Sequence, residues 1–309
     1  MKVIIPAAGL GQRFLPLTKS LPKEMLPLLD KPASQYIVEE GIRSGVEDFI
    51  VVVNKHKKIL EDHFDASSED YLATIEASGN SAALEVINKI VKKAHFAFLR
   101  QSEPRGLGHA ISLAAGFISE HYFGVMLPDD IIISPQPCIG TLAKIAQQEK
   151  GNVIAIQEVS DDLVSRYGIV SFKKQLTPNL FQVKDLIEKP SKSEAPSNFA
   201  IVGRYVLSSS LFQHYQAHQN TEGEIQLTDI IKSMVQAGER LFAYRVQGTV
   251  LDAGTPLGYL KSVIHLALKS HTYGKDIREY LEAMTQETSI TKELILPEDK
   301  IKRSIIKTM

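Results

Sequence analysis

The amino-terminal segment, residues 2–14, is Lys2-Val3-Ile4-Ile5-Pro6-Ala7-Ala8-Gly9-Leu10-Gly11-Gln12-Arg13-Phe14. Its apolar start predicts a first β-strand over residues 2–5, which ends in a glycine-containing loop. A loop of this kind can bring free backbone N–H groups close to a phosphate. The loop carries its own cation, Arg13, and a second cation, Lys23, follows ten residues later. These features predict a phosphate-binding loop, although a glycine turn with two solvated cations fits the loop alone equally well.

Two familiar nucleotide-binding motifs do not fit this loop. The dinucleotide-binding fingerprint requires a third glycine at the position of Phe14. The P-loop requires Gly-Lys-Ser/Thr, whereas Gly11 is followed by Gln12 and Arg13. Both motifs are therefore excluded for this segment.

Strands and helices alternate along the rest of the chain. Strands are predicted at 49–53, 95–99, 123–127, 153–157, 168–172, 186–188, 200–207 and 241–246. Helices are predicted at 32–45, 108–117, 140–150, 227–237 and 256–268, with a polar helical insertion at 65–93. The continuous apolar run Phe49–Val53 is typical of a strand buried on both faces. The pattern predicts an α/β fold with a Rossmann-like, open, mixed but mostly parallel sheet flanked by helices.

Composition excludes several classes of protein. The 309 residues carry 35 Lys+Arg against 36 Asp+Glu, so the net charge of −1 disfavours a general nucleic-acid binder. No apolar run approaches the ~18 residues of a membrane span, so no membrane partner is expected. A single cysteine, Cys138, cannot form an intrachain disulfide, and no Cys/His group has zinc spacing. A reducing compartment, the cytoplasm, is therefore expected.

A second glycine-rich segment, residues 101–110, follows the third predicted strand. Its glycines allow the backbone to approach a flat ring. Gln101 can offer both a hydrogen-bond donor and an acceptor. The combination could recognise a pyrimidine, but in isolation a turn that leads into a helix is the better interpretation.

Acidic residues follow two predicted strands. Residues 127–130 (LPDD) end one strand, and Asp252 ends another. Ligands of open α/β sheets bind outside the carboxyl ends of the strands, and Mg²⁺ takes one or two carboxylates together with phosphate oxygens. Asp129 is therefore a candidate Mg²⁺ ligand, or part of a solvated pair that caps a turn. Asp252 is a second candidate ligand, or a cap for the helix that begins near Thr255.

A charged pair, Glu188-Lys189, ends a further predicted strand before Pro190. Neighbouring strand residues point to opposite faces, so the two can share a site only where the strand ends or bends. Glu188 would then accept sugar hydroxyls beside a lysine that holds a phosphate. An exposed charge pair is the alternative.

The order of these segments resembles the sugar-1-phosphate nucleotidylyltransferases, and more closely their bacterial UTP–glucose-1-phosphate uridylyltransferase branch. The resemblance runs from residue 2 to about 268. Its blocks are PAAGLGQRFLP at 6–16, PKEMLP at 22–27, DKPA at 30–33, QYIVEE at 35–40, EDHFD at 61–65, GLGHA at 106–110, YGIV at 167–170, IVGRYVL at 201–207 and GEIQLTD at 223–229. Two departures are Gln12, where the family usually has threonine, and the poor match after Asp65.

The resemblance implies a nucleotidyltransferase fold, a catalytic domain over 1–270 and a C-terminal helical tail over 271–309. The implied nucleotide-binding residues are Ala8, Gly9, Gly11, Arg13, Lys23, Gln101, Gly106 and Asp129. The residues implied to bind the sugar phosphate are Asp130, Gly168, Glu188 and Lys189. The implied metal ligands are Asp129 and Asp252. The implied catalytic groups are Arg13, Lys23 and Lys189.

The resemblance also implies an activity: Mg²⁺-dependent transfer of a uridylyl group from UTP to glucose 1-phosphate, without a covalent enzyme intermediate. A homodimer or homotetramer is expected. There are three alternatives. One is a thymidylyl- or other sugar-1-phosphate nucleotidylyltransferase, and another is a non-catalytic nucleotide-sensing subunit on the same fold. The third, an interaction protein whose motifs are all turns and caps, is disfavoured by the order of the blocks.

Overall fold

The computed structural model describes residues 1–65, 73–75, 77, 79, 81–220 and 222–288. The chain divides into two compact units, Met1–Leu260 and Lys261–Met309. Part of the predicted insertion at 65–93, and residues 289–309 of the predicted tail, lie outside the described residues. The division of the chain at residue 270 stays a prediction.

The first unit holds the strands that the sequence predicts, together with several shorter ones. They are β1 (Val3–Pro6), β2 (Pro27–Leu28), β3 (Lys31–Pro32), β4 (Asp48–Val53), β5 (His95–Arg100), β6 (Tyr122–Met126), β7 (Asp130–Ile133), β8 (Asn152–Glu158), β9 (Gly168–Thr177), β10 (Leu180–Glu188), β11 (Phe199–Ser208), β12 (Leu241–Arg245) and β13 (Thr249–Asp252). The predicted strands at 168–172 and 186–188 are the start of β9 and the end of β10, which pair with each other at the open end of one long hairpin.

The helices alternate with these strands. They are α1 (Ala33–Arg43), α2 (Lys58–Phe64), α3 (Ser81–Lys93), α4 (Gly106–Ser112), α5 (Cys138–Glu149), α6 (Leu211–His218), α7 (Leu227–Gln236), α8 (Pro256–Lys269) and α9 (Gly274–Thr288). The helix predicted at 108–117 is shorter than expected, because α4 ends at Ser112 and a separate 3-10 turn covers Ala115–Phe117. None of the helices in the described ranges is both long and apolar enough to cross a bilayer.

Nine of the described strands form one sheet in the order β5-β4-β1-β6-β11-β8-β12-β10-β9. The first four run parallel to one another. Only β10 and β11 run against the other strands of this sheet. The mixed, mostly parallel sheet is therefore confirmed.

The sheet core follows from the continuous apolar runs in its central strands. Every side chain of Phe49–Val53 is at most 3% exposed, as expected for a strand covered on both faces. The parallel strands β1, β4 and β6 end at the same edge, so the segments that follow them meet there. Two short pairs form small sheets of their own: β2 with β3, and β7 with β13. In the second pair Asp252 lies opposite Asp130.

Candidate functional site

The glycine loop after β1 is tied to the neighbouring strand by its backbone. The amide of Ala7 donates to the carbonyl of Val52 at 2.7 Å, and Asn54 Nδ2 donates to the carbonyl of Ala8 at 2.7 Å. Gly11 adopts a left-handed conformation with φ of 66°, and a Cβ there would lie 3.0 Å from Thr18 Cγ2. No described atom lies within 4 Å of the place that a Cβ on Gly9 would occupy. The loop therefore presents its backbone to open space.

A cavity of about 300 Å³ opens beside this loop. Its lining residues are Gly9, Leu10, Gln12, Leu15, Thr18, Lys19, Ser20, Pro22, Lys23, Asn54, His56 and Lys57. Three of these lining residues are lysines, and the cavity lies beside the glycine loop, which is an environment suited to an anion.

Lys23 connects the loop to the acidic strand ends, because its Nζ donates to Asp129 Oδ2. Burial opposes the charged form of Lys23, but the carboxylates of Asp129 and Glu24 outweigh it and raise the pKa of the ammonium. Burial likewise opposes the charge of Asp129, whereas Lys23 and then Arg13 hold the pKa of that carboxyl below its usual value. Both groups are therefore charged at neutral pH.

Asp129 and Asp252 flank one point beside Gly254. A Cβ on Gly254 would lie 2.7 Å from Asp129 Oδ2 and 3.0 Å from Asp252 Oδ1. The amide of Gly254 donates to Asp252 Oδ1 at 2.7 Å. The helix α8 is capped by Thr255, whose Oγ1 accepts from the amide of Gly258 at 3.1 Å. Asp252 is thus not the cap of that helix, and its carboxylate stays beside Asp129.

These two carboxylates fit a hard cation that shares its other ligands with phosphates. Glycine at 254 leaves the space between them clear of a side chain. No group of three or more His, Cys, Asp or Glu side chains forms a metal cage within the described ranges. Mg²⁺ does not need such a cage, since it commonly uses one or two carboxylates with phosphate oxygens and water. Asp129 and Asp252 are the residues that could hold it.

Asp130 contacts the backbone of the neighbouring strand β11. Its Oδ2 accepts from the amide of Gly203 at 2.8 Å, and a Cβ on Gly203 would lie 2.6 Å from the same atom. Burial and then the charges of Asp129 and Asp252 raise the pKa of the Asp130 carboxyl to about 7. The structure therefore gives Asp130 a contact with the β11 backbone.

Arg13 stands at the open side of the cluster. Its side chain is exposed, and among the described residues no hydrogen bond or ion pair is recorded for it. Its positive charge nevertheless acts to lower the pKa of the Asp129 and Asp252 carboxyls. Arg13 is therefore near the carboxylates and available to an anionic ligand.

Gln101 and Gly106 lie together at the end of β5 and the start of α4. Gln101 is buried, and its Nε2 is 3.2 Å from the carbonyl of Gly106 and 3.1 Å from His109 Nδ1. Gly106 has a φ of 88°, and a Cβ there would lie 2.8 Å from the backbone of Ile225. The amide nitrogen of Gln101 is occupied inside the chain, so this side chain offers an acceptor but not the donor that its residue type allows.

Glu188 and Lys189 share one site because the strand bends between them. β10 ends at Glu188, and Lys189 has a left-handed φ of 44°. Lys189 Nζ consequently lies 3.3 Å from Glu188 Oε1, while Thr228 Oγ1 donates to Glu188 Oε2 at 2.7 Å. A Cβ on Gly168 would lie 3.2 Å from Glu188 Oε2. The three predicted residues therefore meet, with Lys189 half exposed.

Two buried ion pairs beside the site were not predicted from the sequence. Arg204 is 0% exposed, and its Nη2 donates to Glu40 Oε2 at 2.8 Å while its Nη1 donates to the carbonyls of Leu127 and Gly203. The pair thus holds the chain just before Asp129. No local pattern signals it, because Glu40 and Arg204 lie far apart in sequence.

The second pair lies beneath Lys23. Lys57 Nζ donates to Glu24 Oε2 at 2.7 Å, and both side chains are buried. Burial lowers the pKa of Lys57, and the charge of Lys23 adds to this against the opposing pull of Glu24. Glu24 Oε1 is the one buried side-chain polar atom without a partner in the described part of the chain. No local pattern signals this pair, because Glu24 and Lys57 lie 33 residues apart in the sequence.

The chain is similar to known nucleotidyl transferases over most of its length. The family model for nucleotidyl transferases matches residues 2–268. A UTP–glucose-1-phosphate uridylyltransferase of Staphylococcus epidermidis is 42% identical over 284 residues, which cover 92% of this chain and 98% of the relative. A second such enzyme, from Staphylococcus saprophyticus, is also 42% identical over 92% of this chain and 97% of its own.

Among solved structures, a UTP-bound UGPase from Acinetobacter baumannii is 36% identical with a TM-score of 0.83, over 91% of this chain and 98% of that chain. The expected nucleotidyltransferase fold and the resemblance to the uridylyltransferase branch are confirmed by these findings. With one family model matching from the first strand into helix α8, and a relative at 42% identity over nearly its whole length, the chain belongs to the nucleotidyl transferase family.

Proposed function

We propose that this protein transfers a uridylyl group from UTP to glucose 1-phosphate and so forms UDP-glucose and pyrophosphate. One observation carries the proposal: Lys23, Asp129 and Asp252 converge at the carboxyl edge of the parallel strands, beside the exposed backbone of the glycine loop. Such a cluster suits a reacting triphosphate. The choice of UTP and glucose 1-phosphate is supported by the names of the similar Staphylococcus enzymes.

The nucleotide would occupy the glycine loop. The backbone of Ala8, Gly9 and Gly11 would face the base and phosphates, as would Gly106 and Gln101 at the end of β5. Arg13 suits fork-like contact with phosphate oxygens, and Lys23 a point contact at the reacting centre. The exposure of Arg13 and the cavity beside Lys23 support these roles.

The sugar phosphate would occupy the end of the β9–β10 hairpin. Glu188 would accept hydrogen bonds from sugar hydroxyls. Gly168 lies close beside it, since a Cβ there would be only 3.2 Å from Glu188 Oε2. Lys189, half exposed, would bind the sugar phosphate. Asp130 would act on this side by holding the β11 backbone through Gly203, which supports a positioning role.

The chemistry would be a direct in-line displacement. The phosphate oxygen of glucose 1-phosphate attacks the α-phosphorus of UTP, a new P–O bond forms, and pyrophosphate leaves from the opposite side. The attacking oxygen is already anionic, so no general base and no protein nucleophile are needed. The work of the protein is to bring two polyanions together in the right orientation and to neutralise charge.

Mg²⁺, held by Asp129 and Asp252 together with phosphate oxygens, would supply positive charge at the phosphates when bound. Lys23 currently donates to Asp129 Oδ2. Its ammonium would serve the phosphates once that carboxylate has another cationic partner. Arg13, Lys23 and Lys189 are the chain's own cations for the transition state.

The test identifies the product by phosphorus NMR. The protein is incubated with UTP, glucose 1-phosphate and Mg²⁺, and parallel samples contain dTTP, galactose 1-phosphate or EDTA. UDP-glucose and pyrophosphate from the first sample, and neither with EDTA, support the proposal. Faster turnover of dTTP would favour a thymidylyltransferase. A UTP-induced thermal shift without any product would favour a non-catalytic nucleotide-sensing subunit.

A homodimer or homotetramer in the cytoplasm is proposed as the working form. Exposed Tyr273, Tyr280 and Met284 of the second unit support self-association. Burial raises the pKa of the Cys138 thiol to about 12, which suits a cysteine that stays reduced. Mass measurement in solution tests the assembly, and a monomer at micromolar concentration would contradict it.

A further inference from the structure

The amide of Gln101 is held in one orientation by two partners in the chain. Its Nε2 lies 3.2 Å from the carbonyl oxygen of Gly106 and 3.1 Å from Nδ1 of His109. A carbonyl oxygen can only accept a hydrogen bond, so the atom of Gln101 that faces Gly106 must be the nitrogen. The two possible orientations of the amide are therefore not equivalent here.

This orientation also decides the state of His109. Nε2 of Gln101 is a donor, so Nδ1 of His109 must be the unprotonated, accepting nitrogen of a neutral ring. The two amide hydrogens of Gln101 are then both used, one by Gly106 and one by His109. Nothing on this nitrogen is left to donate to a ligand.

The oxygen of the same amide remains available. No hydrogen bond in the described part of the chain uses Gln101 Oε1. In the described ranges, Glu24 Oε1 is the only buried side-chain polar atom without a partner. Gln101 Oε1 is therefore not such an atom. Gln101 Oε1 therefore keeps access to solvent and can only accept.

We propose that His109 is a positioning residue that makes Gln101 a dedicated acceptor, so that the base site selects a pyrimidine with a ring N–H and rejects cytosine. The inference rests on the proposed function, which places the base of the nucleotide at Gln101. Uracil and thymine carry a hydrogen on N3 and can donate it to Oε1. Cytosine carries a lone pair on N3, which would face the lone pairs of Oε1.

His109 is needed because the carbonyl of Gly106 alone holds the amide through one hydrogen bond. With both partners, rotation of the amide towards a cytosine breaks two hydrogen bonds and turns Oε1 towards two acceptors. A single such bond contributes a factor of about five to ten in an equilibrium. Loss of the His109 acceptor should therefore relax the discrimination by about that factor, since rotation becomes easier.

The test compares the wild-type protein with His109→Leu and His109→Asn. Leucine removes the acceptor, whereas an asparagine oxygen can replace Nδ1. kcat/KM is measured for UTP, CTP and dTTP with glucose 1-phosphate. We expect His109→Leu to lower the UTP/CTP ratio about five- to tenfold and His109→Asn to restore most of it. The UTP/dTTP ratio should change less than twofold in both variants, because both bases carry the N3 hydrogen.

The outcomes separate this inference from the proposed function. Wild-type turnover of UTP tests the function, whereas only the ratios of the variants test the role of His109. An unchanged UTP/CTP ratio in a folded His109→Leu protein would overturn the inference, as would equal falls in the UTP/CTP and UTP/dTTP ratios. If His109→Leu fails to fold, the tautomer of His109 in the wild-type protein is determined by NMR, alongside the ratios of His109→Asn. A hydrogen on Nδ1 would contradict the proposal.

Discussion

Asp252 and Asp130 lie opposite each other in the antiparallel pair formed by β13 and β7. This short ladder carries Asp252 to the edge at which β6 ends, and the amide of Ala253 donates to the carbonyl of Asp129 at 2.8 Å. Three carboxylates thus gather in one partly buried region. Lys23 Nζ donates a hydrogen bond to one of them, Asp129. The arrangement leaves a concentration of negative charge that a bound cation would relieve.

Removal of either proposed metal ligand should change the response to Mg²⁺. We expect Asp129→Asn to lower kcat about 10²- to 10³-fold, because electrostatic stabilisation of the reacting phosphates is lost. Asp252→Asn should mainly raise the Mg²⁺ concentration that gives the half-maximal rate. Initial rates over a range of Mg²⁺ concentrations measure both effects. Asp162→Asn, at an exposed aspartate, is the control, and a normal Mg²⁺ response in both site variants would contradict the assignment.

Lys189 should act on the sugar phosphate and not on UTP. We expect Lys189→Ala to raise the KM for glucose 1-phosphate tenfold or more, because a charge-assisted hydrogen bond to the phosphate is lost. Calorimetry should show little change in the affinity for UTP. Lys192→Ala is the matched control, since that lysine is exposed and pairs with Asp161 at 3.5 Å. Unchanged glucose 1-phosphate affinity in Lys189→Ala would disprove this role.

Gly254 should tolerate no side chain between the two carboxylates. A Cβ at this position would lie 2.7 Å from Asp129 Oδ2, so Gly254→Ala must displace a proposed metal ligand. We expect a loss of activity of about tenfold or more with a melting temperature close to that of the wild type. Gly116→Ala is the control, because a Cβ there meets nothing within 4 Å. Equal activity of the two variants would show that the space beside Gly254 is not needed.

The buried Arg204–Glu40 pair should be essential for stability. Arg204→Met leaves Glu40 buried without its cation, and removal of one partner from such a pair typically costs about 3–5 kcal/mol. Arg245→Met, which breaks the half-exposed pair with Glu158, should cost at most about 1 kcal/mol. Urea unfolding followed by fluorescence compares the two. Similar free energies of unfolding for both variants would argue against a dominant role of the buried pair.

Much of the main sheet could be predicted because its strands carry their signal locally. The apolar run Phe49–Val53 lies within β4, which the structure extends by one residue to Asp48. By contrast, β13 is only four residues long, and its pairing with β7 depends on where the chain returns after β12. Helix α6 (Leu211–His218) was not predicted, because its eight residues are too few for a clear helical pattern.

The candidate site shows the same division. The glycine loop and the acidic strand ends have local patterns, so Lys23 and Asp129 could be proposed from the sequence. Glu188 and Lys189 share a site because the backbone of Lys189 is left-handed. In the sequence, Pro190 is the one feature that makes such a bend plausible. The His109–Gln101 contact depends on how α4 begins, which no spacing rule specifies.

In the proposed reaction the two bound substrates react directly, without a nucleophile from the protein. The most direct measurement is the stereochemical course at the α-phosphorus, with glucose 1-phosphate and one diastereomer of UTP that carries sulfur on that phosphorus. A single in-line displacement predicts α-thio UDP-glucose with inverted configuration. Retention of configuration would reveal two displacements through a covalent uridylyl-enzyme and would contradict the account, as would the absence of any nucleotide sugar.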